Sequence, residues 1–126
     1  MNAKKAIISA LAAALILKLF FFDFIVAQGH SMEPAIENGN VLIISRLRYG
    51  IRLPWRQKYI IRWAQPRAGE VVVFYTPTGE LAVKRFIELT EWGAFYAEGD
   101  NSLSSYDSRS YGFVCMDSII GKVLGH

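Results

Sequence analysis

Two hydrophobic patterns divide the chain. From Ala6 to Ala27 apolar residues run on for 22 positions, interrupted by charge only at Lys18 and Asp23. As a helix that run would measure about 33 Å, against a hydrocarbon core of about 30 Å. Beyond Ala27 the apolar residues fall into short segments. Val41–Ser45, Val71–Tyr75, Leu81–Glu88, Ala94–Glu98 and Ser118–Leu124 are rich in β-branched and aromatic side chains. Turn signals separate them: Asn38-Gly39-Asn40, Gly69, Pro77-Thr78-Gly79, Gly93 and Gly99-Asp100-Asn101. Side chains of this kind suit a pleated, half-buried surface, and the breaks suit tight connections. The pattern predicts a membrane helix over residues 1–27 and an all-β domain over residues 28–126. Its short antiparallel strands would form a sandwich or an open barrel, with no useful helix after the anchor.

The first segment admits two readings. In a cleavable leader, Lys4 and Lys5 would precede an apolar stretch from Ala6 to Leu17. In a permanent anchor, Lys18 would snorkel and Phe20–Phe22 would lie at the interface. A leader needs a small-x-small site after its apolar stretch, whereas Lys18 and a run of Phe follow Leu17. A permanent single-pass anchor is therefore expected. Lys4, Lys5 and the free amine orient its N-terminus inward, placing the domain on the extracytoplasmic face.

Charge is unevenly placed. The net charge is +3, yet no acidic residue lies between Glu37 and Glu70, where seven basic residues occur (Arg46, Arg48, Arg52, Arg56, Lys58, Arg62 and Arg67). Tyr49, Trp55, Tyr59 and Trp63 are interleaved with them. This mixture fits an anionic lipid surface or an ordinary solvated face; no nucleic-acid motif accompanies it. One cysteine permits no internal disulfide, and two distant histidines give no ligand spacing, so neither a metal nor another cofactor is expected. Cys115 is expected to be a buried strand residue.

Five segments, in order, carry candidate chemistry: Gly29-His30-Ser31-Met32-Glu33-Pro34, Tyr49–Trp55, Pro66–Pro77, Val83-Lys84-Arg85 and Gly99–Val114. Each alone reads as a turn or a strand. Together they resemble the type I signal peptidases. GHSMEPAI is similar to that family's Ser-Met-x-Pro segment after a membrane span. PRAGEVVVFYTP resembles its Arg-Gly-Asp strand, and GDNSLSSYDSRSYGFV its Gly-Asp-Asn…Ser-x-Asp-Ser-Arg box.

The resemblance implies a serine endopeptidase that removes signal peptides from exported preproteins after small-x-small sites. Ser31 would be the nucleophile and Lys84 its general base, a Ser-Lys variant of the nucleophile–base pair. A lysine near its ordinary pKa of about 10.4 would be protonated, so Lys84 must be buried enough to lose its proton. Regular alternation would turn Arg85 to the opposite face of the strand. By the same resemblance, Ser105 would hydrogen-bond Lys84. Asp100 and Arg109 would form an ion pair, with Asp107 assisting. The Ser31 N–H would be an oxyanion donor. A second donor, a hydroxyl in many relatives, is replaced by Gly29. Met32, Ile36, Ala82 and Val83 would wall the pockets for small side chains. Preproteins and membrane lipids are the implied partners.

The chain departs from the family pattern between Lys84 and Asp100, where only fifteen residues intervene. The Gly-Leu-Pro-Gly-Asp segment that follows the lysine in most relatives is missing, as is the large inserted domain often found there. A conjugation-type Ser-Lys processing protease and a non-catalytic signal-peptide-binding relative are the alternatives.

Overall fold

The computed structural model describes residues 2–52 and 58–126, with the backbone alone at residues 19 and 20. Helix α1 (Ala3–Phe20) opens on Asn2, whose side chain accepts from the Lys5 N–H, and carries Lys18 in its last turn. Both features satisfy helix ends, a side-chain oxygen at the N-terminus and a cation at the C-terminus. The helix stops short of the apolar run. Residues 22–26 instead form strand β1 (Phe22–Val26), paired antiparallel with β2 (Val41–Ser45), and Asp23 meets Arg46 at 3.1 Å. Among the described residues no helix is long and apolar enough to cross a membrane; α1 has 18 residues, three of them lysines.

The remaining strands are β3 (Gly50–Ile51), β4 (Ile61–Arg62), β5 (Val71–Tyr75), β6 (Leu81–Leu89), β7 (Ala94–Glu98), β8 (Val114–Cys115) and β9 (Ile119–Val123). Seven strands join in one antiparallel sheet of order β1-β2-β9-β5-β6-β7-β8, with β3 and β4 as a separate pair. Among the described residues the main sheet is open and curled, in keeping with the open-barrel rather than the sandwich alternative. Register shifts at Val73/Phe74 and Phe86/Glu88 add local twist and curl the sheet.

Central strand β5 explains why its sequence is a continuous apolar run. Val72 and Phe74 pack into one core with Tyr49, Phe86, Phe95 and Ile119. Val71 and Val73 pack into a second core with Met32, Ile36, Leu42, Ile44 and Val123. A strand buried on both faces loses the usual alternation. Phe95 locks the first core, edge-on to Phe74 at 5.1 Å and stacked with Phe86 at 5.7 Å.

Several expectations are corrected here. Cys115 is exposed, because it ends edge strand β8 while its neighbour Val114 points inward. Tyr49 is buried, and the Tyr59 hydroxyl donates to the Ile119 carbonyl, so neither belongs to a lipid-facing stripe. Arg46, Arg48 and Arg62 of the basic stretch pair with Asp23, Glu70 and Asp117. Trp55 and Arg56 lie outside the described residues. A short helix, α2 (Ser108–Tyr111), appears within the last motif, capped by the Asp107 side chain.

Candidate active site

Strand β1 runs through Ala27 and Gln28 into a turn that begins at Gly29, with φ +85°, and carries Ser31 and Met32. The Asn38 side chain accepts from the Gly29 N–H at 2.9 Å and anchors the start of this turn. Strand β6 brings Lys84 opposite Val72 of β5. The two segments meet so that Lys84 Nζ donates to Ser31 Oγ at 2.8 Å. Lys84 is 7% exposed. Burial pushes its pKa below the ordinary lysine value; the Arg109 charge acts in the same direction and Asp107 opposes both. The contact and the direction of the shift are those that a nucleophile–base pair requires.

The last motif supports the turn from behind. Asn101 donates from its backbone to the Ser31 carbonyl at 2.8 Å and from its side chain to the His30 carbonyl at 3.1 Å. Gly99 makes this approach possible: a Cβ there would lie 2.7 Å from the Ser31 carbonyl oxygen and inside the Ser105 side chain. Asp107 is fully buried and accepts from the Gly99 N–H, the Ser105 hydroxyl, and the Arg109 backbone and guanidinium. Burial alone would raise its pKa, but the bonds from Arg109, Ser105 and Gly99 outweigh that and hold the carboxyl below the usual range.

The structure reassigns two expected contacts. Ser105 donates to Asp107 rather than to Lys84. Asp100 pairs with Arg85, at 2.7 and 2.8 Å, while Arg109 pairs with Asp107, so no Asp100–Arg109 bridge forms. Arg85 also donates to the Gly69 carbonyl and ties β6 to the β4–β5 connection.

Ser31 and Lys84 open onto a cleft of about 450 Å³. Met32, Ile36, Ala82 and Val83 all line it, although Met32 and Ile36 also belong to the second core. Its walls include residues 25–27 on one side and Leu81–Val83 on the other, with His30, Ser104 and Tyr106 as further lining. Gly29 brings no hydroxyl, and its N–H is committed to Asn38. Among the described residues nothing accepts from the Ser31 N–H, so it is available to an incoming oxygen. Sequence reasoning missed three features. Asn101 and the Arg85–Asp100 pair lay inside motifs already noted, but only the fold shows their partners. The third, a side-chain contact of His30 Nδ1 with Glu33 Oε1 at 2.6 Å, sits beside Ser31.

A model of the family described as "Signal peptidase, peptidase S26" matches residues 1–90, and these include both Ser31 and Lys84. The chain belongs to the signal peptidase family, peptidase S26. Signal peptidase I of Bacillus caldolyticus is 31% identical over 85% of this chain and 80% of its own length. The signal peptidase I proteins of Pseudomonas fluorescens and Haemophilus influenzae are 28% and 31% identical over 96% and 89% of the chain. The alignments take in only 40% and 31% of those two relatives' lengths. Between Lys84 and Asp100, where the sequence carries only fifteen residues, this signal peptidase family member closes β6 onto β7 through the tight turn at Thr90–Gly93.

Proposed function

We propose that this chain is a signal peptidase I, a serine endopeptidase that removes signal peptides from preproteins with Ser31 as nucleophile and Lys84 as general base. The observation that carries the reading is the 2.8 Å contact between Lys84 Nζ and Ser31 Oγ, with the lysine buried and its pKa lowered. Neutral Lys84 takes the hydroxyl proton as Ser31 Oγ attacks the scissile carbonyl. The Ser31 N–H receives the developing oxyanion. The Lys84 ammonium then protonates the leaving amine, and water, activated by the same lysine, releases the acyl group from Ser31.

The substrate lies extended between the 25–27 and 81–83 segments, adding its backbone to exposed strand edges. Met32, Ile36, Ala82 and Val83, all lining the cleft, wall the pockets that take the two small side chains of an Ala-x-Ala site. Asp107, Ser105 and Arg109 hold the supporting loop, and the Arg85–Asp100 pair fixes its start.

The domain is held at the extracytoplasmic face of the cell membrane by α1. The apolar side chains Ile7, Ile8, Leu11, Leu15, Ile16 and Leu17 are all exposed, so the helix has an unburied apolar surface to place in lipid. Lys4, Lys5 and Lys18 lie near its two ends, placed to meet lipid headgroups. Exposed Phe22, Phe24, Val26, Val41 and Ile43 continue that surface onto the β1–β2 hairpin.

The test is cleavage of a preprotein carrying one Ala-x-Ala site, with the new N-terminus sequenced. The reading expects a single cut after the second Ala, abolished when either Ala becomes Trp. Cleavage indifferent to those changes would defeat it.

A further inference from the structure

The dyad has a neighbour that the Ser-Lys chemistry does not use. His30 immediately precedes Ser31, lines the same cleft, and its ring contacts the Glu33 carboxylate through Nδ1 at 2.6 Å. Glu33 is three residues on, so the contact spans the peptide units that carry Ser31 and Met32. The Glu33 N–H also points back to the His30 carbonyl at 3.2 Å, and that same oxygen accepts the Asn101 side chain. The turn is thus held from one side by Asn101 and closed across its opening by a side-chain bridge.

We propose that the His30–Glu33 bridge is a positioning device that fixes the nucleophile turn and so aims Ser31 Oγ at Lys84. The inference rests on the proposed dyad but adds two residues that touch neither the reacting carbonyl nor the lysine. Ser31 sits on a turn rather than on a strand. Its side-chain direction therefore depends on the backbone torsions at His30 and Ser31. The pair constrains those torsions where the two bonds from Asn101, one backbone and one side-chain, act on the carbonyls alone. The Glu33 carboxyl is held below its ordinary pKa, chiefly by the hydrogen bond from His30, so it is an ionised acceptor at neutral pH. A misaimed nucleophile slows the chemical step without changing how an extended peptide lies in the cleft.

Cleavage kinetics and amide NMR on the full chain in detergent micelles test this together. His30→Ala and Glu33→Ala are each expected to lower kcat about tenfold with KM within about twofold. The double variant should be no worse than either single one, because both remove the same bridge. Glu33→Gln keeps an acceptor for Nδ1–H and should recover most of the loss. Because the pair is exposed, Tm should stay within about 2 °C of wild type. The amides of residues 29–32 should broaden in both alanine variants while those of β5 and β9 stay sharp. Wild-type kcat in Glu33→Ala, additive losses, or a kcat loss matched by a fall in Tm would overturn the inference. Unchanged amides in both alanine variants would overturn it even if the wild-type chain failed to cleave, an outcome that would separately reject the proposed function.

Discussion

Lys84 Nζ stands 2.8 Å from Ser31 Oγ although the two residues come from well-separated strands of the sheet, one from the middle of interior strand β6 and one from the turn after edge strand β1. The sheet order places β2, β9 and β5 between their strands. The contact therefore depends on the curl of the sheet, which returns the β1 turn to the face of β6.

Burial of Lys84 gives cleavage a definite pH dependence. The base must be neutral, so kcat/KM should rise with pH through an apparent pKa below the ordinary lysine value of about 10.4. The sign for stability follows from the same direction. With the folded pKa depressed, the unfolded chain binds the extra proton between the two pKa values. The cost of burying the ammonium is full below the folded pKa and disappears as pH rises towards about 10.4. Lys84→Met should therefore abolish cleavage, by at least about 10³-fold, while leaving Tm at neutral pH equal to or above wild type. Urea unfolding at several pH values, alongside pH–rate profiles, checks both halves.

Asp107 collects the supporting loop. Asp107→Ala would leave the Gly99 N–H and the Ser105 hydroxyl without their acceptor and loosen the part-exposed Arg109, and should cost about 1–3 kcal/mol of stability. Its depressed pKa makes this contribution present above the unfolded value of about 3.9 and lost as pH falls towards the folded one. Wild type should accordingly lose stability in acid more steeply than Asp107→Ala, as read by denaturant titrations at pH 7 and at about pH 3.

Gly99 is defined by the space it leaves. Gly99→Ala would place a methyl group 2.7 Å from the Ser31 carbonyl oxygen and against Ser105, so the loop must move. The expected cost is about 1–3 kcal/mol by overpacking, with a larger fractional loss in kcat than in Tm. Gly79→Ala, at an open turn with φ +88°, gives the comparison in which only backbone strain acts.

Asn101→Ala removes the side-chain bond to the His30 carbonyl but keeps the backbone bond to Ser31. It should reduce kcat about three- to tenfold and leave KM close to wild type, measured with the same preprotein.

Much of this arrangement was legible in the chain. The segments at Val41–Ser45, Val71–Tyr75 and Ala94–Glu98 are strands with the expected bounds, because short β-branched and aromatic runs between glycine turns have few other solutions. Ser31 and Lys84 were singled out from motif order. Strand β1 was not legible. Its residues Phe22–Val26 read as the end of an apolar helix, and only pairing with Val41–Ser45 makes them a strand. Short strands such as β3, β4 and β8 have two residues each and leave no periodicity to detect. The exchange of partners among Arg85, Asp100, Asp107 and Arg109 was equally hidden. All four charges sit close in sequence to one another or to the dyad, and sequence distance does not determine which acid meets which base.

The most direct test of the central claim is preprotein cleavage by wild type beside Ser31→Ala and Lys84→Ala, all three confirmed as folded by thermal melts. Cleavage after the second Ala of the Ala-x-Ala site by wild type alone is the predicted result. Cleavage of the same bond by a folded Ser31→Ala or Lys84→Ala protein would contradict it.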